Sequence, residues 1–220
     1  MKIEVIPCDM PLKVTPRRFP NQGVIEIKLP EEIVDDLWKL IEESKKEPYE
    51  INEQLAGNIS SSLKLDKDSP LLDDFNQKVI PALINVSIKE FGSVLRHSYK
   101  SLHLSLSLES LWVNFQNKHE FNPPHNHSGV YSFVIWMQIP TSFEEQSKLP
   151  IAAKSNTGGM ISNFAFQYTD ILGRVSINAY EMEKSTKGFM VLFPSNLTHQ
   201  VFPFYENDGE RISISGNLTL

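Results

Sequence analysis

The chain has 220 residues, enough for one sizeable domain, and 40% of them are apolar, which is ordinary for a soluble globular protein. A net charge of −6 argues against a nucleic-acid-binding surface, because phosphate contacts need clustered Lys and Arg. The single cysteine, Cys8, excludes an internal disulfide framework and a cysteine-rich zinc site, and no apolar run approaches the ~20 residues that span a bilayer. Because Glu4 also interrupts the N-terminal stretch that a signal peptide would need to be apolar, we expect a cytoplasmic protein with neither membrane nor nucleic acid as a partner.

The first hundred residues carry strand and helix signals. Ile3–Pro7 and Gly23–Leu29 alternate as half-buried strands do. Proline and two acids then precede an apolar face at helical spacing, which predicts a helix over residues 31–45. A polar, turn-rich stretch over residues 49–67 is followed by a Ser-Pro pair typical of a helix start, and the apolar face continues to residue 92. Pro81 should kink this second helix or displace one of its hydrogen bonds.

From residue 102 onward the pattern changes to short alternating runs separated by turn formers. Several such runs after a helical region predict an antiparallel jelly roll, with the helices packed on one sheet. We therefore predict a mainly β fold in a single domain over 1–220, with a strand and helical support region at 1–100 and a jelly-roll core at 101–220. The eight runs are Leu102–Leu108, Leu111–Phe115, Tyr131–Ile139, Met160–Phe166, Arg174–Ile177, Gly188–Phe193, His199–Val201 and Glu210–Leu218.

Three histidines have the context of metal ligands. His125 and His127 are two residues apart, so on an extended segment they project to the same face, and two prolines just before them restrict the backbone. His199 ends a Gly-x5-Pro-x-Asn-x2-His phrase, in which an apolar strand enters a turn and presents one histidine. Imidazole nitrogens from these three residues could converge on one first-row metal ion. The pattern predicts a metal site at His125, His127 and His199.

An arginine near the C-terminal end has the context of an anion clamp. Arg211 and Ser213 share one face of the last predicted strand, and the intervening isoleucines share the other. An arginine lining a barrel is costly unless an anion meets it, and the guanidinium fork matches a carboxylate. We predict that Arg211 and Ser213 bind a carboxylate. The alternative is a structural salt bridge from Arg211 to one of three acids, Glu206, Asp208 or Glu210.

These residues resemble the 2-oxoglutarate- and Fe(II)-dependent oxygenase superfamily, and within it the oxygenases of phages and bacteria related to prolyl 4-hydroxylases. In that family the first histidine corresponds to His125, the distal one to His199 and the 2-oxoglutarate arginine to Arg211. Most members have a carboxylate where this chain has His127, so the site could use three histidines, another carboxylate such as Glu120, or a different metal. The phrases that carry the resemblance are Leu55–Ile59, Asn122–Gly129, Ser132–Pro140, Phe193–His199 and Glu210–Asn217.

The resemblance implies a double-stranded β-helix of the jelly-roll, cupin-like kind, Fe(II) as the metal, and 2-oxoglutarate and O2 as co-substrates. The predicted activity is a dioxygenase that hydroxylates a small molecule or a protein, with a peptidyl or free amino acid among the candidate substrates. Asn114 and Tyr131 are candidates for further polar contacts in the co-substrate pocket, and no catalytic residue beyond the metal ligands is predicted. Two alternatives stay open: a cupin-like metal enzyme without 2-oxoglutarate, and a non-catalytic structural or binding jelly roll.

Overall fold

The computed structural model describes residues 21–92, 94, 106–153 and 158–220, so Cys8 and the predicted strand Ile3–Pro7 lie outside the described residues. Strand β1 (Ile25–Lys28) leads through Pro30 into helix α1 (Glu31–Lys46). Two acids in the first turn of α1 and two lysines in its last turn complement the helix dipole, which explains why the helix begins and ends where the sequence predicts. A short strand β2 (Ser61–Lys64) then forms inside the stretch that the sequence predicts as turns.

The second helical region is not one kinked helix. It consists of a 3-10 turn (Pro70–Leu72), a π-helical stretch (Phe75–Val79) and helix α2 (Ile80–Phe91). Pro81 lies in the first turn of α2, where its missing N–H costs little, and the π-helical stretch precedes it. None of the helices in the described part of the chain is long and apolar enough to span a bilayer.

The remaining elements, whose strands form the jelly roll, are β3 (Ser107–Gln116), β4 (Asn122–His125), β5 (Tyr131–Gln138), α3 (Phe143–Ser147), α4 (Pro150–Ala153), β6 (Phe164–Thr169), β7 (Val175–Tyr180), β8 (Phe189–Pro194), β9 (Thr198–Val201) and β10 (Arg211–Thr219). The described part of the first two predicted runs is one continuous strand, β3. Strand β6 begins four residues after the start of the run predicted over 160–166, and β7 extends three residues beyond the run predicted over 174–177. Strand β4 and helices α3 and α4 are not among the predicted elements, although Ser142 and Glu145 form a capping box at the start of α3.

The strands form two antiparallel sheets. The larger sheet has the order β1-β8-β5-β10-β3-β2, and the smaller has the order β4-β9-β6-β7. Strand β10 lies inside the larger sheet and pairs with both β3 and β5. The N-terminal strands β1 and β2 complete the edges of this sheet, so the support region contributes directly to the jelly roll.

Side chains alternate across the larger sheet, and this alternation separates two cores. On β5, Phe133 and Ile135 pack in the cluster that includes the buried faces of α1 and α2, whereas Val134 and Trp136 pack against aromatic residues of the smaller sheet. The helices therefore cover the outer face of the larger sheet, and the inner faces of both sheets enclose the space between them. The predicted mainly β jelly roll with supporting N-terminal helices is confirmed.

Candidate metal and co-substrate site

Antiparallel pairing brings the three histidines together between the two sheets. His125 ends β4 and is the cross-strand partner of His199 on β9, and His127 follows two residues beyond β4. The ligand atoms of the three side chains lie within 4.8 Å of one another. Their ring centroids are 4.3 Å apart for His125 and His199, 4.8 Å for His127 and His199, and 5.2 Å for the remaining pair. The sequence pattern thus corresponds to a real cluster.

Hydrogen bonds orient the three rings in the same way. The Nδ1 atoms of His125 and His199 each lie beside the main-chain carbonyl oxygen two residues earlier, at 2.7 and 3.0 Å. The Nδ1 atom of His127 lies 3.0 Å from Oδ1 of Asn217. A carbonyl oxygen only accepts hydrogen bonds, so Nδ1 carries the proton in His125 and His199, and each Nε2 keeps its lone pair for a metal. The amide oxygen of Asn217 favours the same tautomer for His127.

The three rings of the cluster are neutral. Burial lowers the pKa of His125, lowers that of His127 to about 4, and lowers that of His199 to about 3. Among the described residues, no carboxylate joins the three histidines. The carboxylate of Glu120, which the sequence offers as a substitute ligand, instead accepts hydrogen bonds from the amides of Ser60 and Asn117 at 3.1 and 2.8 Å.

Arg211 is 2% exposed and has no acidic partner in the described part of the chain. Its Nη2 donates to the carbonyl and hydroxyl oxygens of Ser162 at 2.6 and 2.7 Å, and its Nη1 donates to Gln116 and to the carbonyl of Phe202 at 3.4 and 3.3 Å. Its Nε is buried without a hydrogen-bond partner. Burial lowers the pKa of Arg211 to about 9, so the guanidinium is still charged at neutral pH.

The structural salt bridge that the sequence left open for Arg211 does not form. Asp208 pairs with Lys118 at 2.7 Å, and neither Glu206 nor Glu210 accepts a hydrogen bond from the guanidinium, whose acceptors are Gln116, Phe202 and Ser162. A buried cation that lacks a counter-ion is expensive, and the cost falls when an anionic ligand supplies the missing acceptors.

Most of the candidate site residues line one cavity of about 380 Å³ between the two sheets. Ser213 and Asn114 are cross-strand partners on β10 and β3, and both line this cavity. Oδ1 of Asn114 accepts a hydrogen bond of 2.9 Å from Ser62. Arg211 and the three histidines line the same cavity, so the metal candidates and the anion candidates face one common volume.

Tyr131 does not belong to this group, and the sequence-based assignment is corrected. Its side chain is 2% exposed and packs in the core between the larger sheet and the helices. Its hydroxyl accepts a hydrogen bond of 3.1 Å from Ser87 on α2. The period of two along β5 points Tyr131 away from the cavity, which a reading of the residue type alone could not show.

Three residues of the site are not among the candidates that the sequence offers. Ser162, which holds Arg211, has a φ of 63° and comes from a distant loop, so no local signal identifies it. Trp112 has the pattern of a core residue, yet it lines the cavity with its ring 5.6 Å from that of His127. Asn217 follows the same alternation as Arg211, which places it on the cavity face but does not reveal its contact with His127.

Residues 110–217 match a family described as "Putative 2OG-Fe(II) oxygenase", where 2OG is 2-oxoglutarate. The matched stretch contains all three cavity histidines and Arg211. Residues 110–217, which carry the site, belong to the 2-oxoglutarate- and Fe(II)-dependent oxygenase superfamily. No curated protein matches it in sequence.

Solved structures of similar fold include prolyl hydroxylases. A prolyl-4-hydroxylase of Pseudomonas putida is 13% identical with a TM-score of 0.52, over 90% of this chain and 92% of that one. A viral collagen prolyl hydroxylase of Paramecium bursaria Chlorella virus-1, solved with 2-oxoglutarate, is 12% identical with a TM-score of 0.52, over 90% and 96%. A prolyl hydroxylase of Trichoplax adhaerens, solved with a peptide fragment, is 9% identical with a TM-score of 0.51, over 90% and 84%. At these identities the likeness concerns the fold.

The cofactor of this oxygenase is Fe(II), with 2-oxoglutarate as co-substrate, and the residues of the cavity fit both. Imidazole is a suitable donor for iron, and three Nε2 lone pairs are available within one cluster. The unpartnered Nε of the buried Arg211 fits a carboxylate. The donor set departs from the family pattern because all three donors are neutral.

Proposed function

We propose that this oxygenase hydroxylates a C–H bond, with iron bound by His125, His127 and His199 and the distal carboxylate of 2-oxoglutarate bound by Arg211 and Ser213. The observation that carries the proposal is the buried guanidinium of Arg211, which lines the cavity of the three histidines and has no acidic partner among the described residues. Its Nε has no hydrogen-bond partner there either. Fe(II) with O2 and 2-oxoglutarate supplies the oxidising chemistry, and the residues of the chain bind, orient and shield the reactants.

The contacts of Arg211 support its role as a clamp. Ser162 fixes one edge of the guanidinium through two short hydrogen bonds, so the side chain is already oriented before a ligand arrives. The ring of Phe204 lies 5.3 Å from the guanidinium carbon and covers one face. Ser213 follows at the next position on the same face of β10, where its hydroxyl can add a neutral donor to a bound carboxylate. Asn114, paired across from Ser213, is a further polar contact in this proposal.

Aromatic residues shield the proposed metal ligands from water. The rings of Phe193 and Phe164 lie 4.9 and 5.6 Å from that of His199, which is itself 4% exposed. A water-poor environment strengthens every electrostatic contact in the cavity and protects reactive species from side reactions.

We propose a small molecule or a protein as the substrate, with a peptidyl or free amino acid as the first class to test. The support for amino acids is analogy: two of the similar structures are collagen or peptide-bound prolyl hydroxylases by their descriptions. Residues 51–59 form one part of the cavity wall that lies outside both sheets, and the exposed side chain of Gln54 places an amide group there. The amide of Asn52 is already bonded to Ile59 and Ser62, at 2.8 and 2.6 Å. An amide group such as that of Gln54 suits a peptide or amino-acid substrate better than a purely apolar one.

Binding of 2-oxoglutarate to the protein loaded with Co(II), a redox-stable substitute for iron, tests the clamp by calorimetry. Because a hydrogen bond to a charged group contributes about 1.5–3 kcal/mol, Arg211→Ala should weaken 2-oxoglutarate binding by roughly tenfold to 150-fold, and Ser213→Ala should weaken it less. Arg174→Ala is the matched control, because Arg174 is an exposed arginine that pairs with Asp170 on the β6–β7 hairpin. Arg211→Lys keeps the buried charge, so its affinity for 2-oxoglutarate should lie between those of wild type and Arg211→Ala.

Equal affinity of wild type and both Arg211 variants would contradict the clamp. Protein that binds Co(II) but not 2-oxoglutarate would support the cupin-like alternative. Protein that binds neither would contradict the assignment of the three histidines as ligands.

A further inference from the structure

The hydrogen bond of His127 differs from those of the other two cavity histidines. His125 and His199 each donate to a main-chain carbonyl of their own segment, which no side-chain substitution removes. His127 donates to the side chain of Asn217, which comes from β10, 90 residues away in the sequence. The tautomer of His127 therefore depends on one replaceable residue.

The hydrogen bonds of Asn217 are consistent with one orientation of its side-chain amide. Its Oδ1 accepts from His127 at 3.0 Å and from the hydroxyl of Ser132 at 2.8 Å, and its Nδ2 donates to the hydroxyl of Ser110 at 3.0 Å. Ser132 in turn lies 3.0 Å from the hydroxyl of Ser195, which can donate to it. All these groups are satisfied when the amide oxygen faces His127.

The opposite orientation of the amide would have a chemical consequence at His127. The Nδ2 group would then point at the ring, the imidazole proton would move to Nε2, and Nε2 could no longer bind a metal. Asn217 is buried, with 9% of its surface exposed, so water does not replace it readily as a partner. An amide in this place thus decides whether His127 is a ligand.

We propose that Asn217 is a positioning residue of the metal site, which keeps the proton of His127 on Nδ1 so that Nε2 faces the ion. This inference rests on the proposed assignment of His127 as a ligand. Partners of ligand histidines typically change metal affinity by 10- to 100-fold when they are removed. The role is separate from that of Arg211, because Asn217 acts through a histidine and touches no co-substrate in the proposal.

The dissociation constant of Co(II), measured by competition with a chelator on metal-free protein, tests the proposal without any turnover. Asn217→Leu should weaken Co(II) binding by about 10- to 100-fold, because it removes the acceptor at similar volume. Asn217→Asp should bind Co(II) at least as tightly as wild type, because a carboxylate accepts from Nδ1 and cannot turn a donor toward the ring. Ser110→Ala is the matched control, because it removes the other partner of the amide and leaves the acceptor for His127 in place.

A double-mutant cycle separates a positioning role from a structural one. In a His127→Ala background, Asn217→Leu should cause no further loss of Co(II) affinity, because the residue acts through His127. Equal losses in both backgrounds, or an Asp variant as weak as the Leu variant, would overturn the proposal. Wild-type protein that binds no Co(II) would instead contradict the proposed metal site itself.

Nuclear magnetic resonance provides a test that needs no folded variant of Asn217. In metal-free wild-type protein with ¹⁵N-labelled histidine, long-range ¹H–¹⁵N correlations report the tautomer of each ring, and His127→Gln assigns the signals. The proposal requires His127 with its proton on Nδ1. A proton on Nε2 of His127 would overturn it.

Discussion

At the scale of single residues, the metal site depends on where three protons sit. Each cavity histidine has its Nδ1 beside a carbonyl oxygen, and burial keeps the rings neutral. The free protein is thus prepared for metal binding, because a metal needs the deprotonated Nε2 and no proton has to leave it. The cost of this arrangement is that protonating any of the rings would place a charge in a buried cluster.

The lowered histidine pKa values predict a weak pH dependence of metal binding. A histidine with an ordinary pKa near 6.5 loses metal affinity as the pH falls through 6.5, because protons compete with the ion. The pKa values of about 4 for His127 and about 3 for His199 move this competition to lower pH. Burial also lowers the pKa of His125, so the Co(II) dissociation constant should change between pH 7.5 and 5.5 by less than the roughly tenfold that a single histidine with a pKa of 6.5 would cause.

Chelator competition at several pH values checks this expectation. A loss of affinity of about tenfold per pH unit that begins at pH 6.5 would contradict it. His119, whose ring lies outside the cavity against Tyr205, offers the control variant His119→Ala, which should leave the profile unchanged.

At the scale of elements, β10 determines the site. Its alternation sends Ile212 and Ile214 to the helix side, and it places Arg211, Ser213 and Asn217 on the cavity. Since β10 pairs with β3 and β5 at once, a shift of one residue would reverse both faces. The register of this strand therefore positions both the co-substrate clamp and the partner of His127.

Gly216 is the position at which this strand tolerates least change. A Cβ atom there would lie 2.5 Å from the ring of Phe133 and 2.9 Å from the carbonyl oxygen of Ser110. Overpacking of this kind costs ~1–3 kcal/mol, so Gly216→Ala should lower the melting temperature by roughly 2–4 °C per kcal/mol in a protein of this size. Gly159→Ala is the control, because open space surrounds that glycine. Equal melting temperatures for the two variants would show that β10 can move to accommodate the methyl group.

A carboxylate helps to hold the wall formed by residues 51–59. Glu120 accepts hydrogen bonds from both the amide and the hydroxyl of Ser60, and a second tie joins the amide of Asn58 to the carbonyl of Phe121 at 2.9 Å. A hydrogen bond to a charged group contributes about 1.5–3 kcal/mol, so Glu120→Ala should speed hydrogen exchange at the Ser60 amide by roughly 10- to 100-fold. Glu53→Ala, which removes an exposed acid of the same wall, should have no such effect, and similar exchange in both variants would contradict the role of Glu120.

The sequence predicts the elements better than the contacts between them. Periodicity identifies α1 and most strands, and the spacing of His125, His127 and His199 identifies the cluster, because these signals are local or repeat a known order. Ser162 and Tyr131 show where prediction from the sequence fails. Ser162 accepts a hydrogen bond from Arg211, but it lies in a loop that carries no local signal. The hydroxyl of Tyr131 accepts a hydrogen bond from Ser87 on α2 and does not face the cavity. Which of several polar side chains meet is decided by packing between distant segments, and one sequence does not contain that information in a local form.

At the scale of the whole molecule, the two sheets and the helical layer have different roles. The helices and the larger sheet bury one apolar core, so the inner face of that sheet can carry polar residues without loss of the fold. The smaller sheet contributes His125 and His199, and the larger contributes Arg211. A metal ion and 2-oxoglutarate bound together would contact both sheets, so together they should stabilise the folded state of the whole domain.

Thermal denaturation measures this coupling. At about 100 times its dissociation constant a ligand stabilises the folded state by about 2.7 kcal/mol, which corresponds to roughly 5–11 °C here. Anaerobic Fe(II) and 2-oxoglutarate together should raise the melting temperature by more than Fe(II) alone. In Arg211→Ala, 2-oxoglutarate at the same concentration should add little to the effect of the metal, and a full additional shift in that variant would contradict the clamp.

The measurement that tests the central claim most directly is the visible absorption of the anaerobic protein with Fe(II) and 2-oxoglutarate, in wild type and in Arg211→Ala. A keto acid that chelates protein-bound iron gives a weak charge-transfer band, and we expect this band only when both components are present. In Arg211→Ala its half-saturation should need at least tenfold more 2-oxoglutarate, by the hydrogen-bond contribution of about 1.5–3 kcal/mol. Iron that binds without producing a band at any 2-oxoglutarate concentration would contradict the assignment of this cavity as the oxygenase site.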